Sequence, residues 1–315
     1  MRDRHATVDI PRGDKGHMTH AHSNVETGSG RHRSRLRLAL VLTSAYLVVE
    51  AVAGWLTGSL ALLADAGHML TDVAGLGLAL FAIHMAERPA TPERTYGYYR
   101  IEILAALANA IVLIGISGWV FVEAYERFRH PQPIATIPML LVALIGLGVN
   151  AASIWILRAG AGDSLNLKGA YFEVLSDAIS SVGVMGAAIV MWLTGWTYAD
   201  SIVSAGIGLF ILPRTITLLM DAVGVLLEGT PSDVNVGELR SAIAAISDVA
   251  DVHDLHVWAL TSGVNALSVH VVASNDDAVA DLLTRVNECA TRRFAISHVT
   301  VQVEPPGWAC GKTHS

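Results

Sequence analysis

Six apolar stretches dominate the pattern of hydrophobic and polar residues along the chain, and each is long enough to cross a membrane. A helix rises about 1.5 Å per residue, so about 20 apolar residues span a hydrocarbon core of roughly 30 Å. Buried core helices and the strands of a large α/β protein are the soluble alternatives, and six such stretches in succession argue against both. We therefore predict six transmembrane helices, over Leu38–Leu56, Leu60–Met85, Ile101–Val122, Ile137–Leu157, Gly169–Leu193 and Ala199–Leu219.

A different pattern follows the sixth stretch. Helical and strand-like periodicities succeed one another in the order α-β-β-α-β, which predicts a small α+β, ferredoxin-like domain with both helices on one face of a three-stranded sheet. So small a core gains stability by pairing with a second copy of itself. The predicted elements are helix Val236–Ile246, strands Val249–Leu260 and Ala266–Ala273, helix Ala278–Phe294 and strand His298–Val303.

These patterns divide the chain into five segments. We predict a disordered tail over residues 1–34, a transmembrane domain over 35–222, a linker over 223–235, the α+β domain over 236–305 and a second tail over 306–315. The first tail holds five histidines, which could collect metal weakly or could be solvated without binding anything. They are His5, His17, His20, His22 and His32.

Composition and charge agree with a membrane protein. Only 16% of the 315 residues are charged, against about 25% in soluble proteins. The net charge of −7 argues against nucleic acid as a partner, and the presence of only two cysteines excludes a disulfide scaffold. Lys and Arg precede the first span and lie in the connections after spans two and four, which predicts that both termini are cytoplasmic. Arg127 and Arg129, after span three, depart from this pattern.

Ionisable residues interrupt two of the predicted spans at helical spacing. Asp65, His68 and Asp72 share one stripe of the second span, and Glu173 and Asp177 lie one turn apart in the fifth. Such groups are costly in hydrocarbon, so they face protein or a water-filled path; hydrogen bonds between helices are the alternative role. Imidazole nitrogen and carboxylate oxygen are ligands of Zn²⁺, and they must shed protons to bind it, so metal and protons would compete for one site.

Four motifs resemble those of the cation diffusion facilitator family of metal/proton antiporters, and the resemblance extends from about residue 35 to residue 305. It implies six helices with a cytoplasmic domain, a homodimer in a bacterial inner membrane, and efflux of Zn²⁺ in exchange for protons, as in the bacterial zinc/cobalt/cadmium efflux type. The motifs are ADAGHMLTD (64–72), RTYGYYRIEILAALANA (94–110), LLEGTP (226–231) and VHDLHVWALTSG (252–263).

The resemblance also implies a transport site. Carried onto this chain, that site consists of His68, Asp72, Glu173 and Asp177, with no resident cofactor. Glu173 is a departure, because zinc-transporting relatives usually have histidine at this position. Three carboxylates and one imidazole form a harder donor set that tolerates Co²⁺, Cd²⁺, Fe²⁺ or Mn²⁺ better, so the main substrate stays open between Zn²⁺ and these ions.

Further residues are secondary candidates. Asp65 could support the ligands or gate their access path. By resemblance, His253 and His270 match positions that bind regulatory metal in some members, and Glu304 lies near the end of the same domain. Gln302 stands where such members have histidine, so packed or solvated histidines are the alternative. Asp200 and Asp221, at the ends of the sixth span, are expected to be solvated.

Two other classes of protein fit the sequence less well. A membrane-embedded metallo-hydrolase needs three ligands, an open water position and a general base, commonly within His-Glu-x-x-His, which this sequence lacks. A membrane metal sensor needs an output module after the sixth span, and no kinase or DNA-reading pattern follows it. The sequence therefore favours a transporter over an enzyme.

Overall fold

The computed structural model describes residues 28–86, 88–158, 165–275 and 279–306. Each predicted span lies inside one long helix, and these helices occur in the predicted order. They are α1 (Gly28–Thr57), α2 (Leu60–Ala86), α3 (Arg100–Arg129), α4 (Thr136–Arg158), α5 (Leu165–Thr194) and α6 (Tyr198–Leu226).

The predicted disordered tail is wrong at its end. Residues 28–34 form the first turns of α1, because residues 31–37 contain no proline or glycine and a helix nucleated in the apolar span propagates back through them. The remainder of that tail, with four of its five histidines, lies outside the described residues, as do all but the first residue of the tail predicted over 306–315.

Five of the six long helices are apolar enough, over the described residues, to cross a membrane: α1, α3, α4, α5 and α6. At least half of the most apolar part of each lies on the outside of the bundle. This is the surface of a multi-pass membrane protein, whose outer side chains face lipid. α2 carries Asp65, His68 and Asp72.

α2 packs against α1, α3, α5 and α6. Small side chains at these contacts let the helix backbones approach closely, as is common between transmembrane helices. Ala61 and Ala64 of α2 belong to the same buried cluster as Ala187 and Ala188 of α5 and Ile207 of α6. The helix with the predicted ligands is thus held from several sides.

The N-terminal end of α2 is held by Asp200, which is completely buried. Its carboxylate accepts hydrogen bonds from the Ser59 hydroxyl (2.6 Å) and from the backbone N–H groups of Leu60 (2.8 Å) and Ala61 (3.2 Å). The prediction that Asp200 is solvated is therefore wrong: the unpaired N–H groups at a helix N-terminus, together with its positive dipole end, bind an anion. Asp221, on the same helix, is exposed as expected.

Arg127 belongs to this arrangement. Its guanidinium donates to the carbonyl oxygen of Gly58 and lies 3.8 Å from the Asp200 carboxylate. Arg127 Nε also lies 2.9 Å from the carboxylate of Glu123, one turn earlier on α3. Arg127 departs from the alternation of basic connections because it neutralises a buried acid.

The second domain follows the predicted α-β-β-α-β order. Its elements are α7 (Val236–Ala244), β1 (Val249–Thr261), β2 (Val264–Ala273), α8 (Val279–Phe294) and β3 (His298–Glu304). β2 is central, antiparallel to β1 and parallel to β3. β2 begins two residues earlier than predicted, because Gly263, at φ 74°, permits a two-residue turn between Thr261 and Val264.

The helices of this domain cover one face of the sheet, as predicted. Leu239 of α7 and Leu282 of α8 share a buried cluster with Leu267 and Val269 of β2. Alternate residues of a strand point to opposite faces, so His270 lies on the face away from the helices.

We expect Asp200→Ala to destabilise the protein strongly. The substitution leaves two buried N–H groups and a hydroxyl without an acceptor and removes the partner of Arg127, which costs about 3 kcal/mol or more. Thermal unfolding of the purified protein in detergent should show a lower midpoint. Asp221→Ala, an exposed change on the same helix, is the matched control; equal midpoints for the two variants would contradict the capping role.

Candidate metal centres

The first cluster lies where α2 faces α5. His68 and Asp72 of α2 and Asp177 of α5 each offer one ligand atom, and these atoms lie within 4.8 Å of one another. His68 Nε2 is 3.5 Å from Asp72 Oδ2 and 3.8 Å from Asp177 Oδ1. The helical spacing that predicted two facing stripes thus brings three of the four predicted ligands together.

One side of this cluster is open. The side chains of His68 and Asp177 are only 7% and 3% exposed, whereas those of Asp72 and Glu173 are 29% and 22% exposed. His68 Nδ1, Asp72 Oδ2 and Asp177 Oδ1 are buried atoms without a hydrogen-bond partner among the described residues. Buried polar atoms are normally paired, so the two unpaired carboxylate oxygens, with His68 Nε2 facing them, fit the donor set of a divalent cation.

Glu173, the fourth predicted ligand, is only partly in place. Its Oε1 lies 3.8 Å from His68 Nε2, but its Oε2 is bound at 2.7 Å by Nη2 of Arg214 on α6. Sequence reasoning missed Arg214. The available signal was an arginine inside the sixth apolar stretch, because ionisable residues within spans are rare and commonly functional.

Asp65 lies outside the cluster, with Glu50 of α1 as its neighbour. Both are buried, and their carboxyls interact directly. Glu50 accepts a hydrogen bond from the Tyr46 hydroxyl at 3.0 Å. Glu50 Oε2 and both carboxylate oxygens of Asp65 have no hydrogen-bond partner within the described part of the chain. Sequence reasoning missed Glu50, although an acidic residue in the otherwise apolar first span was the signal.

The second cluster lies on the open face of the sheet. His253 of β1, His270 of β2 and Glu304 of β3 offer ligand atoms within 4.8 Å of one another. His270 Nδ1 is 3.1 Å and His253 Nε2 is 3.4 Å from the Glu304 carboxylate, which is almost completely buried. His253 and His270 are direct cross-strand partners, which explains why two distant histidines meet.

Gln302 supports this cluster and is not one of its three members. It lies opposite His270 in the parallel β2–β3 pair, and its side-chain amide donates to Glu304 Oε1 at 3.0 Å. Glu304 therefore stands beside the two histidines, with Gln302 orienting it. Such an orienting partner is typical of carboxylates that bind metal.

Two family models match the chain. One, described as the cation efflux transmembrane domain, matches residues 36–227, and the other, described as the cation efflux protein cytoplasmic domain, matches residues 231–306.

Named relatives are similar over most of their length. The chain is 48% identical over 286 residues to the metal cation efflux system protein CzcD of Cupriavidus metallidurans, covering 90% of this chain and 89% of that protein. It is 40% identical over 280 residues to the cadmium, cobalt and zinc/H⁺-K⁺ antiporter of Bacillus subtilis, with coverages of 87% and 90%. It is 39% identical over 289 residues to the zinc transporter ZitB of Escherichia coli, with coverages of 91% and 92%.

Among solved structures, the metal-bound C-terminal domain of the CzcD transporter from Cupriavidus metallidurans is 39% identical. It covers 22% of this chain and 99% of that one, with a TM-score of 0.22.

We propose that the second cluster binds a divalent ion, and we expect Zn²⁺ to raise the unfolding midpoint of the purified protein. Binding to the folded state alone stabilises it, and His253→Ala should reduce that increase. Both proteins also carry Asp177→Ala, which removes a predicted ligand of the first cluster. The Zn²⁺-dependent shift then reports on the second cluster, in the α+β domain. His130→Ala, an exposed histidine at the end of α3, should leave the increase unchanged. A full Zn²⁺-dependent shift in His253→Ala would show that this cluster is not the ligand set.

Proposed function

The chain belongs to the cation efflux family, and we propose that it moves divalent transition-metal ions, chiefly Zn²⁺, out of the cytoplasm in exchange for protons. It is a transporter and not an enzyme. The observation that carries the proposal is the convergence of His68, Asp72 and Asp177 between two helices, with orphaned ligand atoms and one open side. Relatives named as zinc transporter and as cadmium, cobalt and zinc antiporter support it.

The charges of the first cluster suit this exchange. Two ionised carboxylates and a neutral imidazole balance one doubly charged ion, which otherwise could not rest in an apolar interior. The same three groups must lose their protons before they bind metal, so protons arriving at the cluster expel the ion. Because the ligands come from two helices, a change in the packing of α5 against α2 both opens the cluster and weakens its hold on the ion.

Ion preference is set by the donor atoms. A cluster with more carboxylate oxygens than imidazole nitrogens accepts Zn²⁺ but discriminates weakly against Co²⁺, Cd²⁺, Fe²⁺ or Mn²⁺. The printed names of the relatives include cadmium and cobalt beside zinc. We therefore propose Zn²⁺ as the main substrate, with Co²⁺ and Cd²⁺ as the nearest alternatives.

We further propose that the protein is a homodimer in a bacterial inner membrane, with both termini and the α+β domain in the cytoplasm. Contacts that the α+β domain and the connection before it make with one end of the bundle support this placement. The Thr261 hydroxyl of β1 donates to the Glu102 carboxylate at the start of α3, and Arg100 lies 2.9 Å from Glu228 after the end of α6. The arginine-rich connections lie at this same end, which agrees with a cytoplasmic location.

Cysteine labelling tests this placement. In a Cys310→Ser variant, Cys289 of α8 is the single cysteine, and we expect a membrane-impermeant maleimide to label it in inverted vesicles but not in intact spheroplasts. Burial raises the pKa of this thiol above its usual range, an effect that Arg293 partly offsets, so labelling is carried out at alkaline pH. A chain without native cysteines but with His130→Cys, at the opposite end of α3, should show the reverse pattern. Labelling of Cys289 in spheroplasts would refute a cytoplasmic domain.

Transport itself is tested in inverted vesicles with an acidic lumen. We expect Zn²⁺ uptake that stops when the pH gradient is collapsed. Asp72→Asn and Asp177→Asn should each lower uptake by more than about tenfold, because even loss of a residue that merely supports a ligand costs that much affinity. Asp221→Asn, an exposed acid on α6, is the control and should transport normally.

The outcome separates two errors. If Asp72→Asn and Asp177→Asn are inserted, folded and fully active, the site assignment is wrong while the transport function stands. If the unsubstituted protein moves none of Zn²⁺, Co²⁺ or Cd²⁺ under a pH gradient, the proposed function is wrong.

A further inference from the structure

Arg214 lies within the predicted sixth span, about 24 Å along α6 from Tyr198 and about 18 Å from Leu226. An arginine at such a position is costly in a membrane, so it is expected to have a partner and a role. Its partner is Glu173 of α5, at 2.7 Å. The pair therefore joins α6 to a predicted ligand of the first cluster.

We propose that Arg214 is a tethered cation that competes with the transported metal ion for Glu173 and thereby sets the metal preference of the site. This inference rests on the proposed function, since it takes the first cluster to be the transport site. Arg214 is a positioning residue, acting on the ion through Glu173.

The charges of the first cluster support this proposal. With His68 neutral, the ionised side chains Asp72, Glu173 and Asp177 carry three negative charges against the two positive charges of the ion. Arg214 restores the balance, because its guanidinium neutralises Glu173. With Arg214 in place the ion faces two free carboxylates and one imidazole, and the harder character expected of a three-carboxylate site is suppressed.

The position of the Glu173 carboxylate also supports the proposal. Glu173 points one carboxylate oxygen at Arg214 and the other towards His68, at 3.8 Å. Its ligand atom is not among the three that lie within 4.8 Å of one another. Arg214 thus holds the fourth ligand at the edge of the cluster, where Glu173 can join the ion only by weakening its bond to the guanidinium.

Arg214 is also free to move. Its side chain is 71% exposed in the single chain, and that of its partner Glu173 is 22% exposed. It can therefore swing away from Glu173 without disturbing packed side chains. For the same reason, replacing Arg214 leaves no cavity, so variants at this position are suited to a functional test.

The experiment compares Zn²⁺ and Mn²⁺, a borderline and a hard ion. Binding is measured by titration of the purified protein on a His253→Ala background, which removes the cytoplasmic cluster, and uptake is measured in inverted vesicles. Arg214→Gln should bind both ions more tightly, by about tenfold or more, because metal no longer competes with a charge-assisted hydrogen bond. Mn²⁺ should gain more than Zn²⁺, and maximal uptake should fall as release slows.

Three comparisons identify the cause. Arg214→Lys, which keeps the charge, should restore most of the native affinity. On a Glu173→Gln background, Arg214→Gln should have no further effect, because its target is gone. Arg292→Gln, which removes an exposed arginine paired with Glu288 one turn away, should change nothing.

Other results would overturn the inference. Unchanged or weaker binding in Arg214→Gln would show that Arg214 does not compete with the ion. An equal affinity gain with and without Glu173 would show that Arg214 acts by some other route. Because binding is measured independently of flux, a protein without pH-driven uptake would contradict the proposed function and still leave the competition between Arg214 and metal measurable.

Discussion

A carboxylate buried in an apolar bundle needs a positive partner or hydrogen-bond donors, because burial without them costs several kcal/mol. The acids of this membrane domain meet that need to different degrees. Asp200 has the Ser59 hydroxyl, two backbone N–H groups and a nearby arginine. Glu173 has one guanidinium. Asp72 and Asp177 each keep a buried oxygen without a partner in the described chain. Full hydrogen bonding thus distinguishes Asp200, which holds the fold, from Asp72 and Asp177. Both carboxylate oxygens of Asp65 are also unpaired in the described chain, so a missing partner alone does not identify an ion ligand.

The hydrogen bonds and ion pairs of these acids also indicate which helices move together. Asp200 fixes the N-terminal end of α2 to α6, and His68 lies about 12 Å farther along α2 from Leu60. Arg214, also on α6, belongs to this fixed pair, whereas Glu173 and Asp177 belong to α5. In the proposed transport cycle, a displacement of α5 relative to α2 and α6 would therefore break the Arg214–Glu173 bond and separate the predicted ligands in a single motion. Opening of the site and release of the tethered cation are geometrically linked.

Much of the architecture could be predicted from the sequence, because hydropathy and periodicity are local properties. The six long helices and the α-β-β-α-β order follow from them, and spacing placed His68 and Asp72 on one stripe of α2. Periodicity gives the stripe on which a side chain lies but not the helix that it faces. That is why Asp200 was expected in solvent, and why the partnerships of Glu50 and Arg214 emerged only when the helices were packed together.

The second domain contacts the transmembrane bundle near the start of α3, through the strands that also carry the second cluster. β1 ends at Thr261, whose hydroxyl meets Glu102 at the start of α3, and β3 begins at His298, whose ring stacks edge-on against Tyr96 before α3. The second cluster draws its ligands from β1, β2 and β3, with Glu304 at the far end of β3. An ion shared among these strands constrains their relative positions, and α3 packs along α6, which carries both Asp200 and Arg214. A metal-dependent shift of the sheet would therefore reach the transmembrane domain at the start of α3, beside α6, whose Arg214 binds Glu173.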